Sequence, residues 1–230
     1  MNPDPRASRQ HLRAFTLIEL LVVISIIGIL AAMLLPVGAA IKKGAIVRKA
    51  KTELQQMVTA IESYKAKYNF YPPDSPNSAG GRSVNQLYFE LVGTSRQGTD
   101  YASLDGVTRI PSASVPMAFG AGVAGFVNCS KGGGDDVGSP AVNFLKNLKP
   151  GQYGLATIGG VPVRLLSCSA LWTGSTPPVA GSPGLNPWRY VSTNPTNNPA
   201  SFDLWVDVLI GGKTNRISNW SETPQIVSSP

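Results

Sequence analysis

Apolar residues fill the stretch from Phe15 to Pro36 (FTLIELLVVISIIGILAAMLLP), with one acid, Glu19, set among them. Leu17 to Leu35 is just long enough to cross a bilayer, which takes about 20 predominantly apolar residues. Past Pro36 the pattern changes without stopping. Val47, Ala50, Leu54, Met57, Val58, Ile61, Tyr64 and Tyr68 recur three or four residues apart, and most of the intervening lysines and glutamates fall off that stripe. This is one apolar face of a helix. The spacing predicts a single long helix from about Thr16 to Tyr68, apolar all round in its first half and one-sided in its second. Gly28 and Pro36 are its expected bend points.

The remainder reads differently. Asn69 to Gly81 (NFYPPDSPNSAGG) is a breaker run in which Pro72-Pro73 ends the helix. Ser83 to Val92 predicts a short helix capped at Ser83 or Asn85. Residues 93–150 are rich in Gly, Ser and Pro and carry no clear period, with a helical turn expected at Phe144 to Leu148. Gln152–Ile158 and Val161–Trp172 flank Gly159-Gly160, which predicts a two-residue hairpin. Residues 173–201 read as a long polar loop around Trp188 and Tyr190. Phe202 to Ile210 alternates, with Phe202, Leu204, Val206, Val208 and Ile210 on one face and Asp203, Trp205, Asp207 and Leu209 on the other. Gly211-Gly212 then turns the chain into Lys213–Ile217. The expected fold class is α+β: a long N-terminal helix packed on a small antiparallel sheet with long loops.

Charge sharpens the division. The net charge of +7 is concentrated at the N-terminus. Residues 1–14 hold three arginines against one aspartate, and residues 15–70 hold seven basic side chains against three acidic ones. The rest is near neutral, which argues against a nucleic-acid footprint on the body. A basic segment before an apolar run keeps the N-terminus in the cytoplasm and sends the downstream chain outward. Two cysteines, Cys129 and Cys168, are too few for a four-cysteine zinc site. They can pair as one disulfide in a body outside the cytoplasm, or stay as two buried thiols. The only histidine, His11, precedes the apolar run in a segment expected to be removed. Its loss excludes Ser-His-Asp and Cys-His chemistry from the mature chain, so no catalysis is expected.

A charge at the centre of a membrane-length segment costs roughly 2.5–3.5 kcal/mol on insertion scales, so Glu19 calls for a partner. Ala14-Phe15-Thr16-Leu17-Ile18-Glu19 and the apolar run after it closely resemble the N-terminal signature of type IV pilins and type II secretion pseudopilins. The resemblance implies a pilin-like fold in four parts: a leader at 1–14, a transmembrane and polymerisation half-helix at 15–36, an amphipathic half-helix at 37–69, and a periplasmic body at 70–230. It implies cleavage between Ala14 and Phe15 by a prepilin peptidase, then methylation of the new Phe15 amine. It also implies that Glu19 pairs with that amine on a neighbouring subunit, and that Gly28 and Pro36 lie where family helices lose regular structure. Ala14 departs from the family's usual glycine but keeps a small side chain.

Pro187-Trp188-Arg189-Tyr190, Phe202-Asp203-Leu204-Trp205 and Ile217-Ser218-Asn219-Trp220 resemble, in that order, the end of a major type II secretion pseudopilin. There, aspartates and main-chain carbonyls hold calcium, which makes Asp203 and Asp207 candidate ligands here. Ca²⁺ takes six to eight oxygens, and Ile210-Gly211 stands where the family has an Asp-Gly pair. The alternative for Asp203 and Asp207 is the solvent face of a strand. The implied partners are other copies and other pseudopilins in a filament, the peptidase and methyltransferase, and an inner-membrane assembly platform. Two alternatives stay open: a type IV pilin or competence pseudopilin that binds DNA or surfaces, and an exported protein sharing only the N-terminal signal. The run Gly132-Gly133-Gly134-Asp135-Asp136 reads as a cation site or a flexible loop. The tryptophans read as core or loop-pinning residues rather than stacking platforms.

Overall fold

The helix expected from the stripe is the longest element. The computed structural model describes residues 15–131 and 140–228, with backbone only for 33–40. Helix α1 spans Leu17–Tyr68, and both Gly28 and Pro36 lie within it. The chain divides into two units, Met1–Gly44 and Ala45–Pro230.

In the first unit the described apolar side chains face outward. Phe15, Leu17 and Ile18 are 77%, 81% and 69% exposed, and Leu20 to Leu30 continue that pattern. In the second unit the stripe is the inward face. Ala50, Leu54, Met57, Ile61 and Tyr64 are buried, with Val47, Val58 and Tyr68 packed at the margin. Glu53 lies on the same inward side, where it accepts hydrogen bonds from the Ser169 N–H and hydroxyl. Asn69 ends α1 in the left-handed region (φ 65°), with its N–H on the Lys65 carbonyl. Asparagine tolerates that conformation better than most side chains.

Among the described residues, the body of the second unit has three sheets. In the first, β1 (Thr94–Gln97), β2 (Asp100–Ser103), β3 (Arg109–Pro111) and β4 (Cys129–Ser130) are ordered β3-β2-β1-β4, with β4 parallel to β1. The second is the hairpin of β5 (Tyr153–Ile158) and β6 (Val161–Leu166). The third contains β7 (Arg189–Val191), β8 (Asp203–Ile210), β9 (Lys213–Ser218) and β10 (Ser221–Val227), antiparallel in the order β10-β9-β8-β7. Helices α2 (Leu87–Val92) and α3 (Val115–Phe119) both contact β6. The architecture is α+β, as expected.

Several local expectations are corrected. The helix expected from Ser83 starts at Leu87, after a 3₁₀ turn at Gly81–Ser83. Phe144 to Leu148 is turn and irregular chain, not helix. The second hairpin strand ends at Leu166 rather than Trp172, because Cys168 and Trp172 donate to the Asn186 and Gly184 carbonyls instead. Both glycine pairs do form two-residue turns. Gly159 and Gly160 have φ of 56° and 80°, and Gly211 and Gly212 have 58° and 74°. Two successive positive values are what a type I′ hairpin requires.

Strand β8 is buried on both faces. Leu204, Val206 and Val208 point to the apolar core, while Asp203, Trp205 and Asp207 on the opposite face are only 2%, 7% and 4% exposed. The solvent face expected for the two aspartates does not exist, because Arg189 and Arg216 and the loop at 196–198 cover them.

Candidate functional site

The N-terminal turn of α1 carries the one charged side chain of the described apolar segment. Thr16 sits just before the helix, and its Oγ accepts the Glu19 N–H at 3.3 Å. Glu19 reaches back, and its Oε2 accepts the Thr16 N–H at 2.9 Å and the Thr16 hydroxyl at 2.8 Å. This reciprocal arrangement is a capping box, in which a Thr and a Glu three residues on satisfy two orphan helix donors together. The Thr-x-x-Glu spacing is a sequence signal for it, which the reading of Glu19 as a lone charge in an apolar run overlooks.

The capping box uses one oxygen of Glu19. Among the described residues, Oε1 makes no hydrogen bond and no cationic side chain pairs with the carboxylate. Ser25, the next polar side chain, is satisfied within its own helix by donating to the Leu21 carbonyl at 2.8 Å. The segment therefore presents a continuous apolar surface with one negative charge at its start, half-committed to its own helix cap. Phe15 precedes it, largely exposed. Ala14, the leader and His11 lie outside the described residues. Among the described residues, no helix is long and apolar enough to cross a membrane. The apolar run read as membrane-length continues past Ala32 into residues 33–40, whose side chains are not described.

The two aspartates expected near calcium are each held by protein donors, and they do not converge. The Asp203 carboxylate accepts the N–H groups of Thr196, Asn197 and Asn198 at 2.9–3.0 Å and the Asn197 side chain at 2.9 Å. It pins the proline-rich loop to the start of β8. Asp207 takes a two-pronged contact from Arg216, with Nε at 2.8 Å and Nη2 at 3.0 Å, and Arg189 Nη1 lies 3.5 Å away. Among the described residues, no group of three or more His, Cys, Asp or Glu side chains could hold a metal ion. The run at 132–136 lies outside the described residues.

Cys129 and Cys168 are both free thiols in this structure. Cys129 is half-buried in β4 of the first sheet, while Cys168 is fully buried just beyond β6. Burial pushes the Cys168 thiol up to about 12, with the nearby Glu53 adding to it.

Three tryptophans are structural. Trp188 is fully buried, and its carbonyl takes the Asn85 side-chain amide at 2.8 Å. Trp172 donates its indole N–H to the Thr176 carbonyl, closing the loop after it. Trp220 packs edge-on against Trp205, with ring centroids 5.6 Å apart.

No curated protein and no solved structure matches this chain. One family model, the prokaryotic N-terminal methylation motif, matches residues 9–35. That span contains the capping box and the outward-facing apolar residues of α1. The N-terminus of this chain therefore carries the prepilin-type signature of type IV pilins and pseudopilins.

Proposed function

We propose that this chain is a structural subunit of a pilus-like filament, specifically a type II secretion pseudopilin. In this reading residues 1–14 are a cytoplasmic leader, removed by a prepilin peptidase between Ala14 and Phe15. The amine of Phe15 is then methylated. The apolar half of α1 holds the subunit in the inner membrane, with the body at 70–230 in the periplasm, until an assembly platform moves it into a filament of like helices. The role is one of packing, not catalysis.

The observation that carries the reading is the Glu19 Oε1, which has no hydrogen-bond partner among the described residues, on an otherwise apolar helix surface. A carboxylate transferred among apolar helices needs a counter-charge. The Phe15 ammonium of a neighbouring subunit supplies one, and it exists only after cleavage. Glu19 then sets the register of one helix against the next, while Thr16 holds only Oε2 in the unassembled subunit. The order of the C-terminal Trp188, Trp205 and Trp220 segments favours the type II secretion branch.

Two measurements test this. Mass mapping of the mature chain should give an N-terminus at Phe15 carrying one extra methyl group. A start at Met1, or a cut after Ala32, overturns the reading. Glu19→Gln should leave cleavage intact but deplete the filament fraction relative to the membrane fraction. If the variant assembles as the parent does, the register role is wrong.

A further inference from the structure

Asp207 shares a cavity with three arginines. Strand pairing places Arg216 directly across from it on β9 and Arg189 across from Trp205 on β7. Arg82, from the 3₁₀ turn at Gly81–Ser83, is brought to the same place by the packing of that turn on β7. Its guanidinium lies over the Trp205 ring at 5.8 Å, and that of Arg216 lies over it at 5.5 Å. These distances fall within the cation–π range of about 6 Å. Three guanidiniums thus line one cavity with the Asp207 carboxylate and the Trp205 indole. All three remain charged at any ordinary pH, and among the described residues Asp207 is the one acidic side chain that pairs with any of them.

The cluster is also short of acceptors. Trp205 Nε1 is buried without a hydrogen-bond partner among the described residues, and Arg189 Nη1 has no partner there beyond its 3.5 Å ion pair with Asp207. Among the same residues, the Arg82 guanidinium makes no hydrogen bond and no ion pair. Buried donors in folded proteins are nearly always satisfied, and an orphaned one needs an explanation. Arg189 lies beside both Asp207 and Arg216, and burial disfavours its charge more than Asp207 alone restores it. These groups line a cavity of about 300 Å³ together with Ser228. That volume is at the small end for a ligand site.

We propose that this cavity binds a carboxylate of side-chain size, held by the Arg82 and Arg189 guanidiniums against the face of Trp205. The positive lining favours an anion over a neutral guest of the same shape. The volume admits a carboxyl group on a short carbon stem, with the stem lying along the indole. Arg216 already grips Asp207 as a two-nitrogen fork, the geometry that matches planar carboxylates. The ligand is either the side chain of an acidic residue on another protein or a small free dicarboxylic acid. The site reverses the expectation for Asp207: this aspartate belongs to an anion site, not a cation site.

Titration calorimetry on the full chain in detergent micelles tests the proposal. N-acetylglutamate amide stands for the peptide side chain, succinate for the free acid, and uncharged N-acetylglutamine amide for shape alone. Both acids should bind saturably and the glutamine analogue should not. Binding should weaken as salt is raised. Arg82→Gln should weaken the acids about tenfold, as loss of one charge-assisted partner does. Because Arg82 is exposed and holds no ion pair among the described residues, that variant should keep the parent's melting temperature. If N-acetylglutamate amide binds more tightly than succinate, the source is a protein side chain; the reverse order identifies a free acid. Equal binding of the glutamine analogue, unchanged affinity in Arg82→Gln, or tighter binding of inorganic phosphate than of either acid overturns the carboxylate assignment.

Discussion

Glu90→Gln separates the charge of the most deeply buried carboxyl among the described residues from its shape. Glu90, in α2, is fully buried. Its Oε1 accepts the Val127 N–H at 2.9 Å, and its Oε2 accepts the Asn128 N–H and the Tyr64 hydroxyl at 3.0 Å each. The Asn128 side chain extends the network, donating to the Glu90 and Val142 carbonyls and accepting from Tyr68 and the Val142 N–H. One carboxyl therefore ties α1, α2 and the chain entering β4 together. Burial raises its pKa, and the N–H groups of Asn128 and Val127 and the Tyr64 hydroxyl oppose that rise without cancelling it.

A raised folded-state pKa means the folded protein holds the proton more tightly than the unfolded chain. The stability contributed by Glu90 is thus fully present below the unfolded value of about 4.3 and is lost as pH rises through the folded value. Within that window the loss approaches about 1.4 kcal/mol per pH unit. Glutamine cannot titrate, but one of its two terminal atoms is an NH₂ group. In either orientation that NH₂ faces a backbone N–H and leaves a buried donor unmatched, at a cost of about 1–3 kcal/mol. Urea unfolding of the full chain in detergent, followed by tryptophan fluorescence between about pH 4 and 8, should show the variant less stable at the acid end. The gap should narrow as pH rises, because only the parent loses stability to this group. Parallel profiles across the whole range would refute a raised pKa at Glu90.

Three further outcomes are expected of the body. Asp207→Asn leaves Arg189 and Arg216 packed without a counter-charge, so the urea midpoint should fall by an amount equivalent to about 3 kcal/mol; a shift of a few tenths would mean that water already compensates them. Asp203→Ala releases three backbone N–H groups of the 196–198 loop, so limited proteolysis should cut first near that loop, and an unchanged cleavage map would contradict the pinning role. Iodoacetamide at mildly alkaline pH should label half-buried Cys129 well before buried Cys168; absence of label on both until a reductant is added would mean that the native chain pairs them.

The helix is legible in the sequence because its period is local. Val47 to Tyr68 repeats every three or four residues, and each of those positions is inward or marginal in the fold. The glycine-pair hairpins are legible for the same reason, since two residues decide the turn. The illegible elements depend on distant chain. Strands β1 to β4 are two to four residues long and too short to show a period, and they are held by contacts such as the one between Glu90 and the Val127–Asn128 backbone. Strand β7 hides in a proline-rich loop because only its pairing with β8 makes it a strand. Strand β10 (SETPQIV) is a polar edge strand with Pro224 beside a register shift, where proline is tolerated.

The two candidate sites differ in the same way. Thr16 and Glu19 are three residues apart, so one helical turn brings them together and the spacing alone announces the capping box. Asp203 and Asp207 are also near neighbours, and nearness suggests that they act jointly on a cation. A strand, however, sends each to whatever the adjacent strands and loops supply. Asp203 meets backbone N–H groups; Asp207 meets an arginine from β9 and another from β7. The sign of the pocket around Asp207 is therefore set by Arg189 and Arg216, and a register slip of one residue on either strand would turn its arginine to the opposite face. Cross-strand register, which local pattern does not encode, decides that this aspartate meets positive charge from the protein itself.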